Sequence, residues 1–125
     1  MVFPSPHHAS QEVYGLLSEL MDALERALAE AGEWAAHPPP EEALASTQPF
    51  CFDTLTFTQW LQWVFLPRVR RLVREREPLP AHSGILPYAE EYFRGEEARG
   101  EAVMAVLERF DGVINREADR SHPRH

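Results

Sequence analysis

The fold turns on the stretch Thr56-Phe57-Thr58-Gln59-Trp60-Leu61-Gln62-Trp63-Val64-Phe65-Leu66-Pro67-Arg68-Val69-Arg70-Arg71-Leu72-Val73-Arg74. Thr56 followed three residues later by Gln59 is a capping box: the hydroxyl accepts from a first-turn N–H while the amide reaches back. Phe57, Leu61, Phe65, Leu66, Val69, Leu72 and Val73 then form one broad apolar face at helical spacing. Trp60, Trp63 and Val64 fall on the opposite side, so the first half is apolar nearly all round, as in a helix buried among others. In the second half that side continues as Arg70, Arg71 and Arg74. Pro67 has no N–H for the carbonyl of Trp63, which predicts a kink or a free acceptor there. Gln62 falls inside the apolar stripe and needs a buried hydrogen-bond partner, for which a backbone carbonyl of the preceding linker would serve.

Upstream, Val13, Leu16, Leu17, Leu20, Met21, Leu24 and Leu28 recur at three- and four-residue steps and predict a helix over residues 10–31. Ser10 is placed to cap its start, and Gly32 to end it in the left-handed conformation. Between the two helices runs a long connection, residues 33–55, stiffened by Pro38-Pro39-Pro40. One helical turn is expected over residues 41–45 with Pro40 at its first position, and Trp34, Phe50 and Phe52 read as apolar anchors across the bundle. Downstream, Ser83 is expected to cap a short third helix. It turns Ile85, Leu86, Ala89, Tyr92 and Phe93 inward and breaks at Gly95. A last helix carries Val103, Val106, Leu107, Phe110, Val113 and Ile114, with Arg116 and Arg120 suiting its negative C-terminal end. No alternating strand pattern and no internal repeat is visible. The expected fold is all-α: a small four-helix bundle with a long Pro-rich connection between helices 1 and 2, forming one domain over residues 1–125. Its core spans about residues 10–118, with loose tails at 1–9 and 119–125.

Composition narrows the function. At 125 residues the chain is sized for one domain, and 44% hydrophobic with 26% charged residues is a globular balance. A net charge of −8 argues against a binder of nucleic acid over its whole surface. The first residues have neither a basic region nor an apolar run of the secretory kind, and no segment approaches the ~18 apolar residues of a membrane span. A soluble cytoplasmic protein is the expectation. All twelve basic residues are arginine, which suits GC-rich codon usage as well as it suits anion recognition.

Chemistry-bearing constellations are sparse. His7, His8, His37, His82, His122 and His125 lie in tails or loops, none paired with another ligand at i, i+4 spacing, so no metal site is expected. A lone cysteine, Cys51, reads as a buried inert thiol, with activation by His82 as the sharper alternative. Phosphate-binding glycine loops, nucleophile elbows and HExxH are absent, and no cofactor or catalytic residue is assigned. The strongest anomaly is charge: residues 68–76 hold five arginines against one glutamate, leaving −12 to the rest of the chain. That strip is either a surface for a phosphate backbone or acidic partner, or it is neutralised by Glu90, Glu91 or the acidic face of helix 1. Arg68 is expected to be half buried against Leu61 and Val64. Trp60 and Trp63 serve either as core or as a groove. Asp53 is a turn or cap residue, otherwise an ion-pair partner of Arg68.

The run Pro49-Phe50-Cys51-Phe52-Asp53-Thr54-Leu55, then Phe57, then Gln59 through Arg68, resembles the signature of the YqcC-like family. Leu79-Pro80, Ser83, Ile85 and Pro87-Tyr88-Ala89-Glu90-Glu91 are similar to it as well. The resemblance covers about residues 10–118. It implies a small, all-helical bacterial cytoplasmic protein without an established activity. It also implies a link to tRNA pseudouridine synthase C, whose gene is often a neighbour and whose label some members carry. The chain itself does not resemble that enzyme, being too short and without strands. The function read from the sequence is therefore a non-enzymatic accessory or partner-binding module, with an unknown protein as partner. Its contacts are expected at Asp53, Trp60, Gln62, Trp63, Arg68, Arg70, Arg71 and Arg74. The alternative is RNA binding through the arginine strip, linked to tRNA modification. An enzyme with a pocket at the connection ranks third.

Overall fold

A computed structural model describes residues 10–121, and these contain helices and loops with no strand among them. Helix α1 (Gln11–Glu30) begins where the Ser10 hydroxyl accepts from the Val13 N–H at 3.4 Å. It ends in a paired-carbonyl cap: Gly32 at φ 74° donates to Ala29 O, and Glu33 donates to Leu28 O. Leu17, Leu20, Met21, Leu24 and Leu28 are buried as their spacing requires. Tyr14, off the expected stripe, is buried too, and its hydroxyl donates to Glu77 O at 2.6 Å, tying the start of α1 to the end of α4.

The central rod is α3 (Phe57–Trp60), a π-helical turn (Leu61–Phe65) and α4 (Leu66–Glu75), joined without a break. Thr56 and Gln59 form the capping box on α3. The irregularity expected at Pro67 takes the form of the π turn just before it. There the Leu66 N–H reaches back five residues to Leu61 O. The widened turn separates two side chains that simple helical spacing places together. Trp60 enters the core, 9% exposed, at 5.4 Å from the Phe65 ring, while Trp63 stays half-buried at the surface.

In the connection, α2 (Glu41–Leu44) is preceded by Pro40 at the N-cap, one position earlier than expected. The anchors are corrected in part. Phe50 packs inward against Trp60, their ring centroids 4.7 Å apart, whereas Trp34 and Phe52 stand 40% and 68% exposed. Phe50 and Cys51 hold φ of 56° and 50° in a 3₁₀ turn (Pro49–Cys51), and that backbone bend turns Cys51 into the core but Phe52 outward.

Helix α5 (Leu86–Tyr92) starts three residues after Ser83, which does not cap it. The cap comes from α6 (Glu97–Ser121). Asp111 accepts from the N–H groups of Ile85 and Leu86, both at 2.9 Å, and from the Ser83 hydroxyl at 2.5 Å. Asn115 closes on Ser83 N and O at 2.9 Å each. Helix α6 continues to Ser121, so residues 119–121 are helical rather than loose; Arg120 pairs with Glu117 in that last turn. The tails expected at 1–9 and 122–125, with His7, His8, His122 and His125, lie outside the described residues. Helix α1 packs on α4 and α6, and α5 packs on α6, around Leu24, Leu61, Leu107 and Ile114. Among the described residues no helix is long and apolar enough to cross a membrane.

Candidate functional site

The outer face of the rod carries a shallow groove of 700 Å³ lined by Leu44, Trp63, Val64, Pro67 and the arginines 68, 70, 71 and 74. The π turn places Trp63 there, and α2 brings Leu44 to its edge. Five of the residues expected to make contacts, Trp63, Arg68, Arg70, Arg71 and Arg74, line this one surface. The other three lie elsewhere. Trp60 is in the core. Gln62 is 5% exposed and forms two 2.8 Å hydrogen bonds with Ala35, accepting from its N–H and donating to its carbonyl, so the linker partner it needs is found. Asp53 is an exposed turn residue that accepts from Ser46 Oγ at 2.5 Å and forms no ion pair with Arg68.

The arginines of the strip differ in how far their charge is used. Arg70 bonds Asp22 at 3.2 Å and Glu25 at 3.0 Å, on the acidic face of α1. Arg71 lies 3.4 Å from Glu77, and Arg74 lies 3.5 Å from Glu75. Arg76 caps α4 in the left-handed conformation with its guanidinium 5.1 Å above the Tyr14 ring. Glu90 and Glu91 take no part, and Glu91 pairs with Arg94 instead. Arg68 is exposed rather than half buried: it lines the groove beside the half-buried Val64, while Leu61 is wholly buried. No carboxylate or carbonyl among the described residues reaches it. The pairs of Arg71 and Arg74 are exposed, and ion pairs of that kind contribute little, so both side chains can exchange partners at small cost. Within the groove Trp63 Nε1 is buried without a hydrogen-bond partner among the described residues.

A second polar cluster, not foreseen from the sequence, joins four elements at the other end of the rod. Glu33, just past α1, accepts from Thr58 Oγ1 at 2.6 Å and from the Tyr92 hydroxyl. Its second oxygen lies 3.3 Å from Arg99, which also donates to Ala31 O at 2.9 Å. Burial pushes the Glu33 carboxyl up, but the hydrogen bonds from Thr58 and Tyr92 and the Arg99 charge outweigh it and leave it below the usual carboxylate range. Burial and the adjacent carboxylate push the Tyr92 phenol up. The inward spacing of Tyr92 was the one legible signal; nothing local pairs it with Glu33, 59 residues away. Cys51 is 7% exposed, as an inert thiol would be, and His82 is exposed in its loop. Among the described residues no three His, Cys, Asp or Glu side chains converge on a metal position.

An all-helical core with a tryptophan–arginine groove defines the class, a small helical module. The chain belongs to the YqcC-like family, DUF446, described as "tRNA pseudouridine synthase C", whose pattern matches residues 16–113. It is 34% identical over 94 residues to the uncharacterized protein YqcC of Escherichia coli (strain K12), covering 75% of this chain and 86% of that one. An uncharacterized protein of Haemophilus influenzae is 38% identical over 71 residues, 57% of this chain and 67% of its own length. A protein of Pectobacterium carotovorum subsp. carotovorum named tRNA pseudouridine synthase C is 51% identical over 57 residues, which are 46% of this chain but 15% of that protein. The solution structure of E. coli YqcC superposes with a TM-score of 0.76 at 31% identity, over 90% of this chain and 97% of that one. The resemblance carried by residues 49–68 is thereby shown, and so is the all-helical fold.

Proposed function

We propose that the chain is a non-enzymatic accessory module that binds a protein partner through the groove at Trp63. We read it as one cytoplasmic domain over residues 1–125, a four-membered bundle of α1, the central rod, α5 and α6 strapped by the connection at Pro38–Pro40. The observation that carries the reading is the groove itself: an apolar floor of Trp63, Val64 and Leu44 beneath Arg68, Arg71 and Arg74, whose charges are unpaired or only loosely paired among the described residues. An aromatic floor beneath arginines is the composition of an interface anchor. Arg70, committed to Asp22 and Glu25, makes the surface less suited to tracking a phosphate backbone. The partner we propose first is a tRNA pseudouridine synthase C, because a stretch similar to this chain forms part of a protein bearing that name.

The test is co-purification of the tagged chain with that synthase from the same organism, with and without RNase, against Trp63→Ala/Arg71→Glu. Retention after RNase and loss in the double variant is the expected result; no retention in either arm overturns the reading. A second reading, direct RNA binding in tRNA modification, draws on Arg68 and Arg74. It requires affinity that falls steeply with salt and is lost when RNase is present.

A further inference from the structure

On the other side of Arg68 an apolar cavity opens into the core between α1, α4, α6 and the loop before α5. Its volume is 290 Å³. Leu17, Phe65, Phe110 and Ile114 line it and are all buried, so its inner wall is apolar. Its polar lining is Arg68 and His82, both exposed, and the buried Ser83, whose hydroxyl donates to Asp111; no carboxylate is among the described residues that line it. The one guanidinium at the mouth has no anionic partner among the described residues.

We propose that this cavity binds a small carboxylate with a compact apolar body. The body, an acyl or aryl chain of roughly ten heavy atoms, suits a cavity at the small end of the usual ligand range of about 300 Å³ and above. The carboxylate matches the planar fork of Arg68, with the His82 ring as a second polar contact. A phosphorylated ligand fits less well, since a dianion beside a single arginine and an apolar wall would lose more hydration than it regains. The site is separate from the groove at Trp63, although Arg68 borders both.

The experiment is a titration of the full ¹⁵N-labelled chain with sodium octanoate below its micellar concentration, following the Trp60 indole N–H and the Gly84 amide, both at the cavity wall. Octan-1-ol serves as the neutral control and 4-phenylbutanoate as the aryl arm. A saturable shift at both signals is expected. Binding should be roughly tenfold weaker for octan-1-ol and for Arg68→Gln. Arg71→Gln, an equal change of net charge away from the cavity, is expected to bind as the parent does. The proposal falls if no saturable shift occurs with either acid, if the alcohol binds as well as the acid, or if Arg68→Gln and Arg71→Gln behave alike.

Discussion

Gln62 shows how one side chain joins two distant parts of the fold. It sits in the middle of an apolar stripe, and its amide is satisfied only because Ala35 brings both backbone groups to it at 2.8 Å. Both pairs are buried at the glutamine end, so removing the amide strands an N–H and a carbonyl together. Gln62→Leu is expected to destabilise the protein by about 2–3 kcal/mol, since an unmade buried hydrogen bond costs more than a made one contributes. Urea denaturation checks this, and a loss near zero would mean water replaces the amide. The need for a partner was legible from the position of Gln62 in the stripe; the identity of the partner was not, because helical spacing says nothing about which loop lies opposite. Arg68 shows the reverse case. Its place on a straight helix put it half buried against Leu61 and Val64, yet in the structure it is solvent-exposed at the edge of the groove that Val64 lines.

Elements in this molecule are often completed by other elements. The start of α5 has no capping side chain of its own, and Asp111 on α6 supplies the acceptor instead. Ser83, which the sequence presents as the cap, is a donor in that same arrangement. The reason is geometric: Pro87 at the second helical position sets the start at Leu86, leaving Ser83 too far upstream to reach the first-turn donors. The packing of α6 on α5 depends similarly on one glycine. A methyl group at Gly100 would lie 2.2 Å from Phe93 Cγ, at a ring that is wholly buried. Alanine in a helix normally gains about 1 kcal/mol over glycine. Here the overlap must move Phe93, at about 1–3 kcal/mol for overpacking. Gly100→Ala is therefore expected to lower stability on balance by up to about 2 kcal/mol. A raised melting temperature would show that α6 shifts freely on Phe93.

At the scale of the molecule, Glu33, Thr58, Tyr92 and Arg99 tie together the end of α1, the start of α3, α5 and α6. Because the folded protein holds the Glu33 carboxyl below its ordinary range, the folded state takes up its proton less readily than the unfolded chain. The stabilisation is thus complete above the unfolded carboxylate pKa and is lost as pH falls through the lower, folded value. Melting temperature measured from neutral to acid should drop across that window, and Glu33→Gln should flatten the drop while lowering stability at neutral pH. An unchanged acid profile in the variant would assign the acid sensitivity to other carboxylates.

The sequence by itself determined the helical class, the buried faces of α1 and α6, the capping box at Thr56 and the family. These depend on spacing along one chain segment, where residues three and four apart are neighbours whatever else the chain does. Only the tertiary structure decided which side of the rod is surface. It separated Trp60 from Trp63, committed Arg70 to α1 while leaving Arg68 without a partner among the described residues, and brought Glu33 to Tyr92 across 59 residues. Those outcomes follow from contacts between elements, and no periodicity within an element encodes which partner will face it.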